Sequence, residues 1–249
     1  MDVLEALRAE SGVVAVVGAG GKKTTLYALA ARAARDRSLR AVVTATVRIP
    51  IFDRHVEEVV VTDDPVAALE RADAWPLGVV PEREGEDRYA GYDPEIVDDI
   101  AAAGVADLVL VKADGARTRE FKAPNEREPQ LPDHVDTVVP IASVQAVGKP
   151  LSADHVHRPE RVAAITGLDR GDAIGPEDVA RVIASEHGGL TAVPDGATVV
   201  PLLNKVDDAE MRDVAEDIGR ELLERAPVVT RVVSARMLAD DPVVDVFER

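Results

Sequence analysis

The chain has 249 residues, a net charge of −17 and no cysteine. That length suits one large α/β domain or a domain with a lid, and the lack of cysteine excludes disulfides and thiolate metal sites. The acidity is spread along the whole chain, which argues against nucleic-acid binding, a task that needs a basic surface.

Residues 2–9 read as a short amphipathic helix. Residues 13–17 are a continuous apolar run, suited to a strand buried on both faces. Residues 24–37 are rich in Ala and Leu and predict a helix; 41–45 and 58–61 predict strands. A helix over 65–72 has proline near its start, and one over 94–103 is closed by Gly104. Residues 106–111 form a second strongly apolar strand, running into Lys112-Ala113-Asp114-Gly115. Residues 115–135 look irregular, and 136–141 is again strand-like. Short helical patterns alternate with Pro and Gly over 145–197, the clearest helix being 176–186. A strand over 198–203, an amphipathic helix over 208–225 and a last strand over 228–233 follow. Alternating strands and helices predict an α/β fold. Its sheet is mostly parallel with helices on both faces, a three-layer sandwich like that of phosphate-loop NTPases. We expect one domain over 1–249, with a lid or substrate-binding insertion within 115–197.

No run of about 18 apolar residues exists to span a membrane. Met1-Asp2-Val3-Leu4-Glu5 lacks the basic start of a signal peptide, so a cytoplasmic protein with no membrane partner is expected. Many carboxylates, few lysines and small apolar residues suggest a halophilic protein from a high-salt cytoplasm; the plainer alternative is an acidic protein from a GC-rich genome.

All six lysines lie in candidate ligand-binding stretches: Lys22, Lys23, Lys112, Lys122, Lys149 and Lys205. Between the first strand and the first long helix stands Val17-Gly18-Ala19-Gly20-Gly21-Lys22-Lys23-Thr24-Thr25. Glycines there let backbone N–H groups turn toward a phosphate, the helix start adds partial positive charge, and a lysine reaches the β/γ-phosphates. The hydroxyl of Thr24 is a candidate Mg²⁺ ligand. The spacing G-x-x-x-x-G-K-[ST] is not met, and either Lys22 or Lys23 fits the phosphate contact. Asp114 ends an apolar strand on the side of this loop, where a carboxylate can hold Mg²⁺ directly or through water; a plain Asp-Gly turn is the alternative.

Asn204-Lys205-Val206-Asp207 also follows an apolar strand and resembles the guanine-reading N-K-x-D sequence of GTPases. An Asp can accept hydrogen bonds from N1–H and N2–H of guanine, a pair that adenine does not offer. With two asparagines and six lysines in the chain, roughly 0.005 accidental matches are expected. Thirty residues on, Ser234-Ala235-Arg236 resembles the S-A-[KL] loop beside guanine O6. Asp114-Gly115 lacks the D-x-x-G spacing of a GTPase switch.

The chain resembles the YqeC-like accessory proteins of selenium-dependent molybdenum hydroxylases. The matching stretches are Val17 to Lys22, Thr44-Ala45-Thr46, Lys112 to Arg117, Lys122-Ala123-Pro124 with Glu126 to Pro129, Gly148 to Leu151, and His157 to Glu160. The doubled lysine of the loop and Lys112, where an acidic residue is more usual, depart from the pattern. The resemblance implies a phosphate-loop NTPase linked to maturation of a selenium-containing molybdenum cofactor enzyme, with a molybdenum hydroxylase or a cofactor-biosynthesis protein as partner.

Arg117, Lys122, Lys149, His157 and Arg158 are candidate contacts to an anionic substrate, and Thr44 and Thr46 candidate contacts to Mg²⁺ or the γ-phosphate. The expected function is Mg²⁺-dependent hydrolysis of GTP or ATP, GTP being favoured. Lys22, Lys23 and Asp114 would serve the chemistry. Gly18 to Thr25, with Asn204, Lys205, Asp207, Ser234 and Ala235, would bind the nucleotide. The alternatives are an ATP-dependent ligase or kinase acting on a pterin or selenium compound, and a nucleotide-sensing protein without appreciable turnover.

Overall fold

An apolar run with no polar face needs cover on both sides, and the computed structural model, which describes residues 1–249, supplies it. Strand β1 (Gly12–Gly18) sends Val14 and Val16 into one apolar core and Val13, Ala15 and Val17 into another. The first core is closed by α1 (Val3–Ala6) and α2 (Lys22–Arg37), through Leu4, Leu26 and Leu29. The second is closed by α3 (Pro65–Glu70) and α4 (Pro94–Ala102), through Leu69, Val97 and Ile100.

Apart from two small sheets of two-residue strands, the remaining strands of the main sheet are β2 (Ala41–Ala45), β3 (Glu58–Val61), β4 (Leu77–Val80), β5 (Leu108–Lys112), β6 (Thr137–Ser143), β7 (Leu202–Asn204), β8 (Arg231–Ala235) and β9 (Val243–Glu248). They line up as β9-β8-β7-β6-β1-β5-β2-β4-β3, and Thr198–Val199 adds a short stretch against β6. Every pairing is parallel except β8 with β9. A third core joins Leu203 and Val232 to α5 (Pro159–Thr166), α6 (Pro176–Ile183) and α7 (Ala209–Arg225), through Val162, Val179, Ile218 and Leu222. The result is the expected three-layer α/β sandwich. No helix is long and apolar enough to cross a membrane.

Several boundaries differ from expectation, each for a local reason. The first helix stops at Ala6 instead of running to residue 9, because Arg8 takes φ 49°. Helix α2 starts at Lys22, two residues before the predicted start, because Gly21 at φ 139° serves as its N-cap. The strand expected over 198–203 is interrupted at Val200-Pro201, where proline has no N–H to give to a ladder. Helix α7 begins after Asp208, whose carboxylate accepts from Met211 N at 2.8 Å. Strands β4 and β9 and helix α5 are additions to the predicted set.

In a parallel sheet the strand C-termini share one edge, and ligands bind in the crevice beyond it. Here that edge gathers the loops after β1, β5, β7 and β8.

The fold holds 46 acidic and 29 basic residues in one compact body. Like charges repel in the folded state, and their screening length falls from about 10 Å at 0.1 M salt to about 3 Å at 1 M. The melting temperature is therefore expected to rise steeply with KCl up to molar concentrations. A flat profile in thermal unfolding would assign the acidity to compositional drift.

Candidate functional site

Strand β1 ends at Gly18 and α2 begins at Lys22, so the turn between them is only Ala19-Gly20-Gly21. Its tightness explains the glycines. Gly18 has φ 89°, and a methyl there would strike the Ile141 carbonyl oxygen; Gly21 has φ 139°, and a methyl there would strike Nδ2 of Asn204. Gly18 N donates to Asp114 Oδ2 at 2.8 Å, Ala19 N to the Ile141 carbonyl at 2.9 Å and Gly20 N to the Arg119 carbonyl at 3.0 Å. The first-turn N–H groups of Lys22, Lys23 and Thr24 have no acceptor inside the helix, and the helix start carries partial positive charge.

The two loop lysines part company. Lys22 is buried and turned under the loop, where its Nζ donates to the Gly18 carbonyl and lies 2.8 Å from Asp114 Oδ1. Lys23 is half-buried and lines a cleft above the loop. Below it, ion pairs run on through segments distant in sequence. Lys122 Nζ lies 2.8 Å from Asp114 Oδ2 and 2.9 Å from Glu128 Oε2, and donates to the Gly115 carbonyl at 2.6 Å. Arg158 Nη1 donates to Glu128 Oε2 at 2.7 Å. Burial opposes the charge on Asp114, but Lys22 and Lys122 outweigh it and hold the carboxyl below its ordinary range. Glu128 is held down in the same way by Lys122 and Arg158. Burial, reinforced by Lys122, pulls the Lys22 ammonium down against the attraction of Asp114.

This arrangement bears on the metal. Thr24 lines the pocket beside Asn204, whereas Asp114 lies beneath the loop and is already held by two ammonium groups and an N–H. The two line different pockets, so they do not form the shared Mg²⁺ site expected from the sequence. Mg²⁺ commonly binds through substrate phosphates while keeping its waters.

On one side of the loop a pocket of about 480 Å³ is lined by Thr24, Gln145, Asn204, Lys205, Asp207 and the 236–239 turn. Asn204 is buried and spans two loops: its Nδ2 donates to the Gly20 carbonyl at 2.9 Å, and its Oδ1 accepts from Met237 N at 3.2 Å. Asp207 is exposed at the pocket mouth, and its Oδ2 accepts from Gln145 Nε2 at 2.9 Å. Lys205, at φ 65°, pairs with both oxygens of Glu120 at 2.7 Å. The Ala235 carbonyl accepts from Val206 N at 3.1 Å, whereas Ser234 turns its hydroxyl to the Asp245 carbonyl at 3.4 Å, away from the pocket.

On the other side a cleft of about 420 Å³ is lined by Lys22, Lys23, Arg48, Arg88, Lys112 and the 115–120 loop. Lys112 is buried, and its Nζ donates to the Arg48 carbonyl at 2.8 Å. Burial, then the nearby Lys22, pull its ammonium down to about 7. Arg117 lines this cleft too. The other candidates lie elsewhere. Thr25 gives its hydroxyl to the Gly21 carbonyl, Thr44 to Val79 and Thr46 to Gln130. Lys149 is exposed and lines neither pocket. His157 pairs with Lys122 in a short parallel ladder, and burial with Arg158 and Lys122 pushes its imidazole down to about 4. Glu128, which holds Lys122, lies within the matching stretch Glu126 to Pro129 but is not singled out by it, whereas Glu120 and Gln145, which hold Lys205 and Asp207, have no sequence signal.

Among known proteins, the uncharacterized protein YqeC of Escherichia coli (strain K12) is 28% identical over 200 residues, covering 80% of this chain and 77% of that protein. Among solved structures, the hydrogenase maturation factor HypB from Archaeoglobus fulgidus is similar at a TM-score of 0.44 and 12% identity, covering 95% of this chain and 87% of that one. The family model described as YqeC protein matches residues 14–160, more than half of the chain. That span takes in the glycine loop, Asp114, Lys122, Glu128 and Arg158, and leaves out Asn204 and Asp207. This chain belongs to the YqeC protein family.

Proposed function

We propose that the protein binds GTP and hydrolyses it as an accessory factor in maturing a selenium-dependent molybdenum hydroxylase. The observation that carries the nucleotide reading is the Asn204 side chain, which ties the glycine loop to the 236–239 turn across one pocket. The triphosphate lies over the start of α2, where unpaired N–H groups and Lys23 meet it, with Lys22 within reach from below. The base enters beside Asn204 and Thr24, and Asp207 accepts from N1–H and N2–H once Gln145 yields its place. Lys205 lies along the base and keeps Glu120 near the phosphates. Mg²⁺ arrives with the triphosphate. The link to a molybdenum hydroxylase rests on the family resemblance.

Competition of GTP, ATP and XTP for one labelled guanine nucleotide tests this. A carboxylate left unpaired against the wrong base costs several kcal/mol. Wild type is therefore expected to prefer GTP over ATP by about 100-fold or more, since each 1.4 kcal/mol is tenfold. Asp207→Asn replaces an acceptor with a donor and should move the preference toward XTP, whose 2-oxo group accepts. Equal displacement by ATP and GTP on wild type would sink the guanine reading and favour the ATP-dependent ligase or kinase. The cationic cleft beyond the loop is the observation on which that second reading stands.

A further inference from the structure

We infer that the cleft lined by Lys23, Lys112, Arg117 and Arg119 is a second-substrate site. Its ligand is a small polyanion with at least two phosphate or carboxylate groups, held beyond the terminal phosphate of the nucleotide. The inference deepens the proposed function and rests on the phosphate-loop reading for its position.

The charge balance of the lining is the main argument. The chain carries 17 more acidic than basic groups, yet eight basic residues and only two acidic ones line this cleft, and of the eight Lys22 is already paired with Asp114 beneath the loop. Both carboxylates are already paired, Asp87 with Arg88 and Glu120 with Lys205. Arg48 is likewise taken by Glu84. Lys23, Lys112, Arg117 and Arg119 are in no ion pair. In a chain this acidic, carboxylates are abundant, so Arg117 and Arg119, left without one beside Lys23 and the buried Lys112, call for an anion from outside.

Position separates this anion from the nucleotide. The base pocket and the cleft lie on opposite sides of the glycine loop and share Lys205 as their one common lining residue. The same cleft is lined by Gly20, Gly21, Lys22 and Lys23, so the proposed triphosphate occupies that part of it and leaves Lys112, Arg117 and Arg119 to the second ligand. Arg117, Arg119 and Lys112 belong to β5 and the loop that follows it. The cleft is large enough for a small ligand of its own at about 420 Å³.

The loop is built to hold its shape. Arg117 and Thr118 sit at φ 47° and 61°, strained values for non-glycine residues. Arg119 offers its carbonyl to Gly20 N at 3.0 Å, and Glu120 offers its carbonyl to Ser143 N at 3.1 Å, so the loop is moored to the phosphate loop and to β6. This mooring places both arginines in the lining of the cleft, beside the glycine loop. The buried ammonium of Lys112, destabilised by burial and by Lys22, gains from any anion placed beside it. The ligand class follows from the donor set. Arginines suit phosphate and carboxylate bidentately, and Lys112 adds a point charge.

The test uses pyrophosphate as probe, with thermal shift read at ionic strength matched with KCl. On wild type saturated with a non-hydrolysable GTP analogue and Mg²⁺, pyrophosphate is expected to give a further shift. The Arg117→Ala/Arg119→Ala variant should keep the shift from the analogue and bind pyrophosphate at least ten-fold more weakly. No further shift on the saturated wild type, or one equal in the variant, overturns the second site. If the analogue itself gives no shift, the nucleotide reading has failed. The second site then stands only if pyrophosphate alone binds wild type and weakens in the arginine variant but not in Asp207→Asn.

Discussion

Asp114→Ala should destabilise the protein by about 3–5 kcal/mol, the range for breaking a buried ion pair from one side. The carboxylate is buried between Lys22 and Lys122, and it also receives the N–H of Gly18. Its removal leaves two buried ammonium groups facing each other, with Glu128 the nearest remaining counter-charge. Urea unfolding at neutral pH checks the value, an unchanged m-value showing that stability alone has moved. Lys122→Met should also be costly, and the double variant should cost clearly less than the sum, because the second change removes a charge that the first had stranded. A loss under about 1 kcal/mol for Asp114→Ala, in the range of exposed ion pairs, would mean that the network is solvated. The acid side has a definite sign. The folded-state pKa of Asp114 is depressed, so its contribution is full above the unfolded value of about 3.9 and is lost as pH falls through the depressed one. Wild type should therefore lose stability below about pH 4, and Asp114→Ala should lack that part of the loss.

Lys22→Ala should weaken triphosphate binding by about 30-fold or more, about 2 kcal/mol, because it removes both the charge beneath the loop and the bond that shapes it. Lys22 holds the Gly18 carbonyl and Asp114, so it both shapes the loop and places a positive charge beneath it. Lys23→Ala removes only a half-buried cation at the cleft edge, and its effect should be smaller. Calorimetric titration with GTP and Mg²⁺, at a temperature where every variant is folded, separates the two. Unchanged affinity in both single variants and in the double variant would remove the phosphate-loop assignment.

The parts of this site that were legible in the sequence are the local ones. A glycine-rich turn between an apolar run and a helical pattern says where the loop lies, and Asn204, the first residue of the motif at the end of β7, says where the second loop meets it. What escaped depends on distance or burial. The partnership of Asp114 with Lys122, Glu128 and Arg158 joins residues up to 44 positions apart, Asp114 to Arg158, and no spacing rule announces it. Lys112 reads in sequence as a charge at a strand end; only the fold shows that it is buried against the Arg48 carbonyl. Strand β4 is four residues long and includes Gly78, where Phe52 packs too closely for any side chain, so its pattern is weak. Strand β9 is a half-buried antiparallel edge strand with Asp245 in its middle, which breaks its apolar run. Helix α5 follows Arg158, whose φ of 62° is not visible in its identity.

The Asn204 amide makes one further demand. Its two ends grip backbone on either side of the pocket, the Gly20 carbonyl and the Met237 N–H, so neither loop can shift without the other registering it. Thermodynamic linkage is reciprocal: a phosphate that settles the glycine loop improves the fit of the base by the same factor by which the base improves the fit of the phosphate. If the pocket takes a guanine nucleotide as proposed, the energies of recognising the base and of holding the phosphate chain are not separate sums, and nucleoside or phosphate fragments tried singly are expected to understate what each contributes within the whole nucleotide.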